Sequence, residues 1–371
     1  MKTVGITAEF NPFHNGHKVL IDAVRETMDP DGIVCIMSGN FVQRGYPAIC
    51  DKWARARAAV SCGADLVIEL PTVYALSSAQ DFAYGSMRIM KALGVTDFAF
   101  GSETGDITEL SRIASINTDD EAAVKEALAK GLSYPRALSE ALGIDLDPND
   151  ILGIEYLKNA GEMTPHVIKR RGMGHIATAS YIRDNMAEIE EFVPEDALYE
   201  LQESEFWNEE SDARLFQMLR YALLMKPAYE LADIMGVSEG LENALKKAID
   251  NAKTIDDIIM NAKSKRYTYA RISRALMCIA LDIPKSLKDE AKEAPLYARV
   301  LAMNERGAGI LKNADAEKIE ILSNLKKTSV MIAPYKDVLE CDIQAADLYS
   351  ILMGRRVAEH SDFVKNPRMQ A

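Results

Sequence analysis

The sequence predicts an α/β protein in which a Rossmann-like, doubly wound parallel sheet is followed by a mainly α-helical second domain. Three features predict it. Through about residue 190, short apolar runs alternate with stretches of helical composition. Those runs are near-continuous rather than alternately polar and apolar, which is the pattern of parallel strands buried on both faces. Past Phe192-Val193-Pro194 the strand pattern fades, and apolar residues recur at helical spacing instead.

In chain order, Thr3 to Glu9 reads as the first strand and Lys18 to Thr27 as the helix behind it. Gly32 to Met37 is a second strand, and Lys52 to Ala64 has helical composition. Asp65 to Leu70 is a third strand, stopped by Pro71. Asp97 to Phe100 is a fourth, residues 106 to 160 look helical, and Val167 to Arg170 is a fifth. Asp212 to Met225, Leu241 to Ala252 and Arg266 to Leu281 carry the helical periodicity of the second half. The expected division is a catalytic domain over 1–195 and a helical domain over 196–371. Ligands of such sheets bind beyond the carboxyl ends of the strands.

The chain has 371 residues, 48% hydrophobic and 27% charged, an ordinary composition for a folded globular protein. No stretch has the eighteen or so apolar residues of a membrane helix. The N-terminus runs straight into strand-like sequence without a signal-peptide cleavage region. The expectation is a cytoplasmic protein with no membrane partner. Five cysteines, none in a C-x-x-C pair, are expected to be reduced and buried. A net charge of −13 argues against indiscriminate nucleic-acid binding but leaves room for a local basic face. The oligomeric state is not legible.

The strongest chemical signal is Glu9-Phe10-Asn11-Pro12-Phe13-His14-Asn15-Gly16-His17, between a strand and a helix. Gly16 lets the backbone approach a ligand closely. The helix starting near His17 offers free N–H groups and a positive dipole end to an anion. Displacement at phosphorus loads charge onto non-bridging oxygens, so a protein contributes mostly position and electrostatics. Two imidazoles at a helix start suit that task. A zinc site is the lesser reading, because no Cys or carboxylate cluster with ligand spacing lies near in sequence. Metal ligands are therefore not assigned.

This segment resembles the His-x-Gly-His signature of the nucleotidylyltransferase superfamily. Thr178-Ala179-Ser180-Tyr181-Ile182-Arg183 resembles that superfamily's second motif, with Thr178 and Ser180 suited to an N-cap and first turn. The wider series is more specific. Met37-Ser38-Gly39-Asn40-Phe41-Val42-Gln43-Arg44-Gly45, Lys52-Trp53-Ala54-Arg55, Ala64 to Pro71, Phe100-Gly101-Ser102-Glu103 and Pro148 to Gly153 follow in order. Together they resemble the tRNA(Met) cytidine acetate ligase family, densely over residues 1 to about 190 and more loosely beyond.

The resemblance implies a nucleotidylyltransferase-type sheet, ATP as substrate with Mg²⁺ expected, and acetate and elongator tRNA(Met) as partners. It implies an acetyl-adenylate that passes its acetyl group to N4 of the wobble cytidine. Carried over by position, His14, His17 and Arg183 would be catalytic. The loop Thr7, Ala8, Glu9, Phe10, Asn11, Pro12, Phe13, His14, Asn15, Gly16, His17, Lys18, Val19, Leu20 would hold ATP, with Gly101, Asn149, Arg170 and Arg171. Lys18 reads equally as a phosphate contact or a solvated helix residue. Asp150 and His175 depart from the family pattern and bear on the base pocket.

Gln43-Arg44-Gly45-Tyr46-Pro47 reads either as an acceptor contact or as a surface loop. Lys52, Arg55 and Arg57 read as RNA guides or as a charged helix face. Residues 263–274 hold five basic residues and two tyrosines, offering phosphate contacts and stacking faces. Lys265, Arg266, Arg271 and Arg274 are the tRNA-binding candidates. An adenylyltransferase for a small phosphorylated cofactor precursor is the competing reading; the long second half disfavours it. An RNA-binding protein with an inactive nucleotide fold is opposed by intact His14, His17 and Arg183.

Overall fold

The computed structural model describes residues 1–116, 122–129, 134–144, 146–170 and 178–369. Ten strands are present among them: β1 Thr3–Ala8, β2 Gly32–Ser38, β3 Phe41–Val42, β4 Tyr46–Pro47, β5 Leu66–Leu70, β6 Asp97–Ser102, β7 Thr164–Lys169, β8 Leu296–Met303, β9 Ile319–Leu322 and β10 Arg368–Met369. The order β5-β2-β1-β6-β7 is parallel throughout. The chain therefore winds outward from β1 in one direction through β2 and β5, then returns to add β6 and β7 on the other side. β1 and β6 flank the switch point.

The apolar runs form these strands because both sheet faces are covered. Val34, Ile36, Leu66, Ile68, Phe98 and Phe100 enter one core cluster. Ile33, Cys35, Met37, Val67 and Ala99, one residue out of phase, enter the other. The helix Asn15–Met28 lays Ile21, Val24 and Met28 into the second cluster and ends at Asp29 in the left-handed region, φ 43. Buried residues of the helices Glu209–Met225, Leu241–Ile249, Tyr269–Ala280 and Lys336–Leu352 continue the first cluster without a break.

The C-terminal third contributes strands as well as helices. β8 pairs antiparallel with β5, and β9 and β10 pair parallel with β8. The run Leu296 to Met303 is apolar except for Arg299, which interrupts the strand pattern. That guanidinium is fully buried, donates to the Asp362 carbonyl at 3.1 Å and lies 5.1 Å over the Trp53 ring. β8 removes an open edge from the parallel sheet.

The helix Lys52–Ser61 is neither an RNA guide nor a charged face. Lys52 and Arg55 are fully buried. Lys52 Nζ meets Glu69 at 2.7 Å and Asp362 at 2.6 Å. Arg57 pairs with Glu200 at 2.6 Å. The neighbouring alanines 54, 56, 58 and 59 are all buried, so the helix packs on every side. All five cysteines are free and buried. Among the described residues, no helix is long and apolar enough to cross a membrane.

Candidate active site

The segment after β1 sits at the carboxyl edge of the sheet, at the switch point. Phe10 turns the chain with φ 46, a conformation rare for a bulky residue and typical of functional loops. Phe10 and Phe13 are buried. With His14 they wall in the His17 ring: centroids lie 5.0 Å, 5.5 Å and 3.8 Å away, and the two imidazoles are stacked.

The helix begins at Asn15, three residues before the Lys18 start read from the sequence, and His14 is its N-cap. His14 Nδ1 accepts from Gly16 N at 3.0 Å, and His17 Nδ1 accepts from His14 N at 3.2 Å. The rings thus satisfy backbone donors that the sequence reading left to an anion. A ring nitrogen that accepts carries no proton, so each neutral imidazole bears its proton on Nε2. The pair presents two Nε2–H donors in place of bare amides. Gly16 is required because a Cβ there would collide with the His14 ring.

Burial, reinforced by Arg170 and Arg183, holds His14 down at about 4. Burial, then His14 and Arg170, pushes His17 well below the ordinary histidine range. Both rings are therefore neutral at neutral pH, each with one Nε2–H free of the backbone contacts made by Nδ1.

Arg183 rises from the second motif. Thr178 caps its helix by accepting from Tyr181 N at 3.2 Å, as the sequence indicated. Arg183 donates to Asn11 O at 2.7 Å and Ser180 Oγ at 3.1 Å. Asn11 Oδ1 in turn accepts from Ile49 N at 2.7 Å. Glu9 Oε1 accepts from Gln43 N at 2.8 Å. Burial pushes its pKa above the usual carboxylate range, opposed by that hydrogen bond and by Arg44, Arg183 and Arg55. Thr7 is hydrogen-bonded to Tyr156.

Across the switch point, β6 and β7 deliver the remaining candidates. Gly101 faces the Arg170 side chain, which a Cβ would crowd. Arg170 lies 3.5 Å from Glu103, and the Asn149 amide donates to Glu103. Asp150 is buried and takes the Ser102 hydroxyl. Arg171 and His175 lie outside the described residues. At the helical end of the loop, Lys18 pairs with Asp22 one turn on, the solvated-helix reading. Val19 is exposed, and Asn15 Nδ2 donates to Glu191 O at 3.3 Å.

Sequence reasoning did not single out the carboxylates Glu103 and Asp147 as a group with Asp150. Their ligand atoms lie within 4.8 Å of one another. The signal available was faint: acids at the end of a strand and at a helix start, over forty residues apart in sequence.

The tRNA candidates divide. Lys265 and Arg266 are exposed. Arg271 is held by Glu239 at 2.9 Å and lies 5.3 Å over the Tyr267 ring. Arg274 donates to Gln43 O at 3.2 Å, inside the fold.

Residues 1–362 match the HIGH Nucleotidyl Transferase family. A tRNA(Met) cytidine acetate ligase of Clostridium perfringens is 36% identical over 409 aligned positions, spanning 99% of both chains. One from Thermoanaerobacter pseudethanolicus is 35% identical over 98% of each. Thermotoga maritima TmcAL bound with alpha-thio ATP shares the fold at TM-score 0.89 and 31% identity, covering 100% of this chain and 99% of that one. With its paired histidines seated at the switch point of the sheet, and with the match running nearly end to end, this chain belongs to the HIGH nucleotidyl transferase family, among the tRNA(Met) cytidine acetate ligases.

Proposed function

We propose that this chain is an ATP-dependent ligase that activates acetate as acetyl-adenylate and acetylates N4 of the wobble cytidine of elongator tRNA(Met), in the cytoplasm. In the first step an acetate oxygen attacks the α-phosphorus, and the bond to the β-phosphate oxygen breaks with its electron pair leaving on pyrophosphate. In the second, the N4 amine attacks the acetyl carbon. AMP leaves with the electrons of the acyl–oxygen bond, and N4 loses one proton.

The observation that carries this reading is the neutral, Nδ1-anchored pair His14 and His17 at the mouth of the switch point. Two fixed Nε2–H donors meet phosphate oxygens without reorganising as charge develops. Arg183, anchored on Asn11 O, and Arg170 add positive charge to the same edge. The loop from Thr7 to Leu20, with Gly101, Asn149, Arg170 and Arg171, is the proposed ATP site. Residues 1–195 are the proposed catalytic unit and 196–371 the proposed tRNA-binding unit. Lys265 and Arg266, as exposed cations, are its best phosphate contacts; Arg271 and Arg274 serve through the local structure.

Mg²⁺ fits the all-oxygen set Glu103, Asp147 and Asp150. Glu103 Oε2 is buried and has no hydrogen-bond partner among the described residues. When bound, the ion would neutralise phosphate charge.

The test is acetate-dependent exchange of labelled pyrophosphate into ATP, with several short carboxylates, with and without tRNA and with EDTA. Acetate-specific, EDTA-sensitive exchange supports the reading. Exchange only with a phosphorylated small molecule would replace it by the cofactor-precursor alternative.

A further inference from the structure

The hairpin β3–β4 stands between the active-site loop and the helix Tyr269–Ala280. At its tip, Gln43 N donates to Glu9 Oε1 at 2.8 Å, and Gln43 O accepts from Arg274 at 3.2 Å. Gly45 N closes the turn onto Val42 O at 2.8 Å, while Gly45 O accepts from Ser273 Oγ at 2.8 Å. Gly45 has φ 84, and a Cβ there would strike the backbone of Ser273 and Arg274. Tyr46 shares a hydrogen bond with the Tyr269 hydroxyl, which also donates to Asp256 at 2.6 Å.

Arg44 lies between the two pinned residues. It is exposed, and among the described residues its guanidinium makes no hydrogen bond or ion pair. It acts electrostatically on both Glu9 and Arg183. An exposed arginine is usually mobile, and ordering it costs side-chain entropy. Here the main chain on both sides is already fixed, on one flank to an active-site carboxylate. On the other flank it is fixed to a helix whose leading segment exposes Lys263, Lys265 and Arg266.

We propose that Arg44 binds a backbone phosphate of the acceptor RNA beside the base being modified, and that the clamped hairpin holds it there. This rests on the tRNA-acetylating reading above. The ATP phosphates in that reading fall to His14 and His17 at the start of the helix Asn15–Met28 and to Arg183 on the helix Ala179–Asp184. Arg44 instead sits where a strand of RNA crossing from Lys263–Arg266 toward the reacting centre would pass.

The experiment compares Arg44→Ala and Arg44→Lys with the parent chain. Binding of fluorescent elongator tRNA(Met) is followed by anisotropy across KCl concentrations. Acetate-dependent pyrophosphate exchange and acetyl transfer to tRNA are measured in parallel. Arg44→Ala is expected to weaken tRNA binding about tenfold and to lower the salt slope by about one. Acetyl transfer should fall at least about tenfold further than exchange, and Arg44→Lys should recover most of the loss because a point charge suffices for a phosphate. Equal losses in exchange and transfer would assign Arg44 to ATP and overturn the proposal. So would an unaltered affinity and salt slope. Absence of acetate exchange in the parent would instead sink the ligase reading, and the binding arm would still decide Arg44.

Discussion

His14 does two physical jobs that can be separated by substitution. Its Nδ1 caps the helix at Gly16, and its Nε2–H is the proposed phosphate donor. Asparagine carries an acceptor oxygen the same number of bonds from Cβ as Nδ1, and it is among the best N-caps. His14→Asn should therefore keep the cap and remove the donor. Glutamine reaches the Nε2 position with an amide N–H but leaves Gly16 uncapped. The cap contributes about 1 kcal/mol, so His14→Gln should unfold in urea at lower concentration than His14→Asn. One donor to developing phosphate charge contributes about 10²- to 10³-fold in rate, or about 3–4 kcal/mol. Pyrophosphate exchange should fall by that factor in His14→Asn and stay at least about tenfold higher in His14→Gln. The expected orders are opposite: stability Asn above Gln, activity Gln above Asn. If exchange simply follows stability, the ring serves only as a cap and the donor assignment is wrong.

Three further outcomes are expected. First, because His14 titrates near 4 in the fold and near 6.5 unfolded, its depressed value adds stability that is complete above pH 6.5 and lost as pH falls toward 4. Urea denaturation should show about 2 kcal/mol less stability from this group at pH 5 than at pH 7.5, and His14→Asn should flatten that slope; an unchanged slope counts against a neutral buried ring. Second, Lys52→Met leaves Glu69 and Asp362 buried without their shared ammonium. The expected loss is about 3–5 kcal/mol in urea denaturation, and a loss below about 1 kcal/mol would show that the cluster rearranges freely. Third, Gly45→Ala puts a side chain at φ 84 against the helix backbone. It should cost at least about 1–2 kcal/mol and reduce acetyl transfer more than exchange; equal effects would uncouple the hairpin from the acceptor.

The parallel strands were legible because both of their faces are buried, which writes an uninterrupted apolar run into the chain. β2, seven residues and all buried, is the plainest case. The histidine motif was legible because its parts are local: cap, glycine and second ring fall within four residues. β8 was harder to read because Arg299 breaks its apolar run, and the reason that arginine is tolerated lies far off in sequence, in Trp53 and Asp362. Lys52 and Arg55 looked like surface charge for the same reason. Their partners are Glu69, Asp362 and the carbonyls of Glu9, Ser38 and Cys50.

The order of strands and helices through the first half, and the identity of the nucleotide-binding loop, follow from the sequence alone, since each depends on neighbours within a turn or two. The protonation of the histidines, the burial of Lys52, and the clamp of the hairpin between Glu9 and Arg274 belong to the tertiary structure. Those depend on dielectric surroundings and on partners up to about three hundred residues away, and a linear pattern of residue types carries neither.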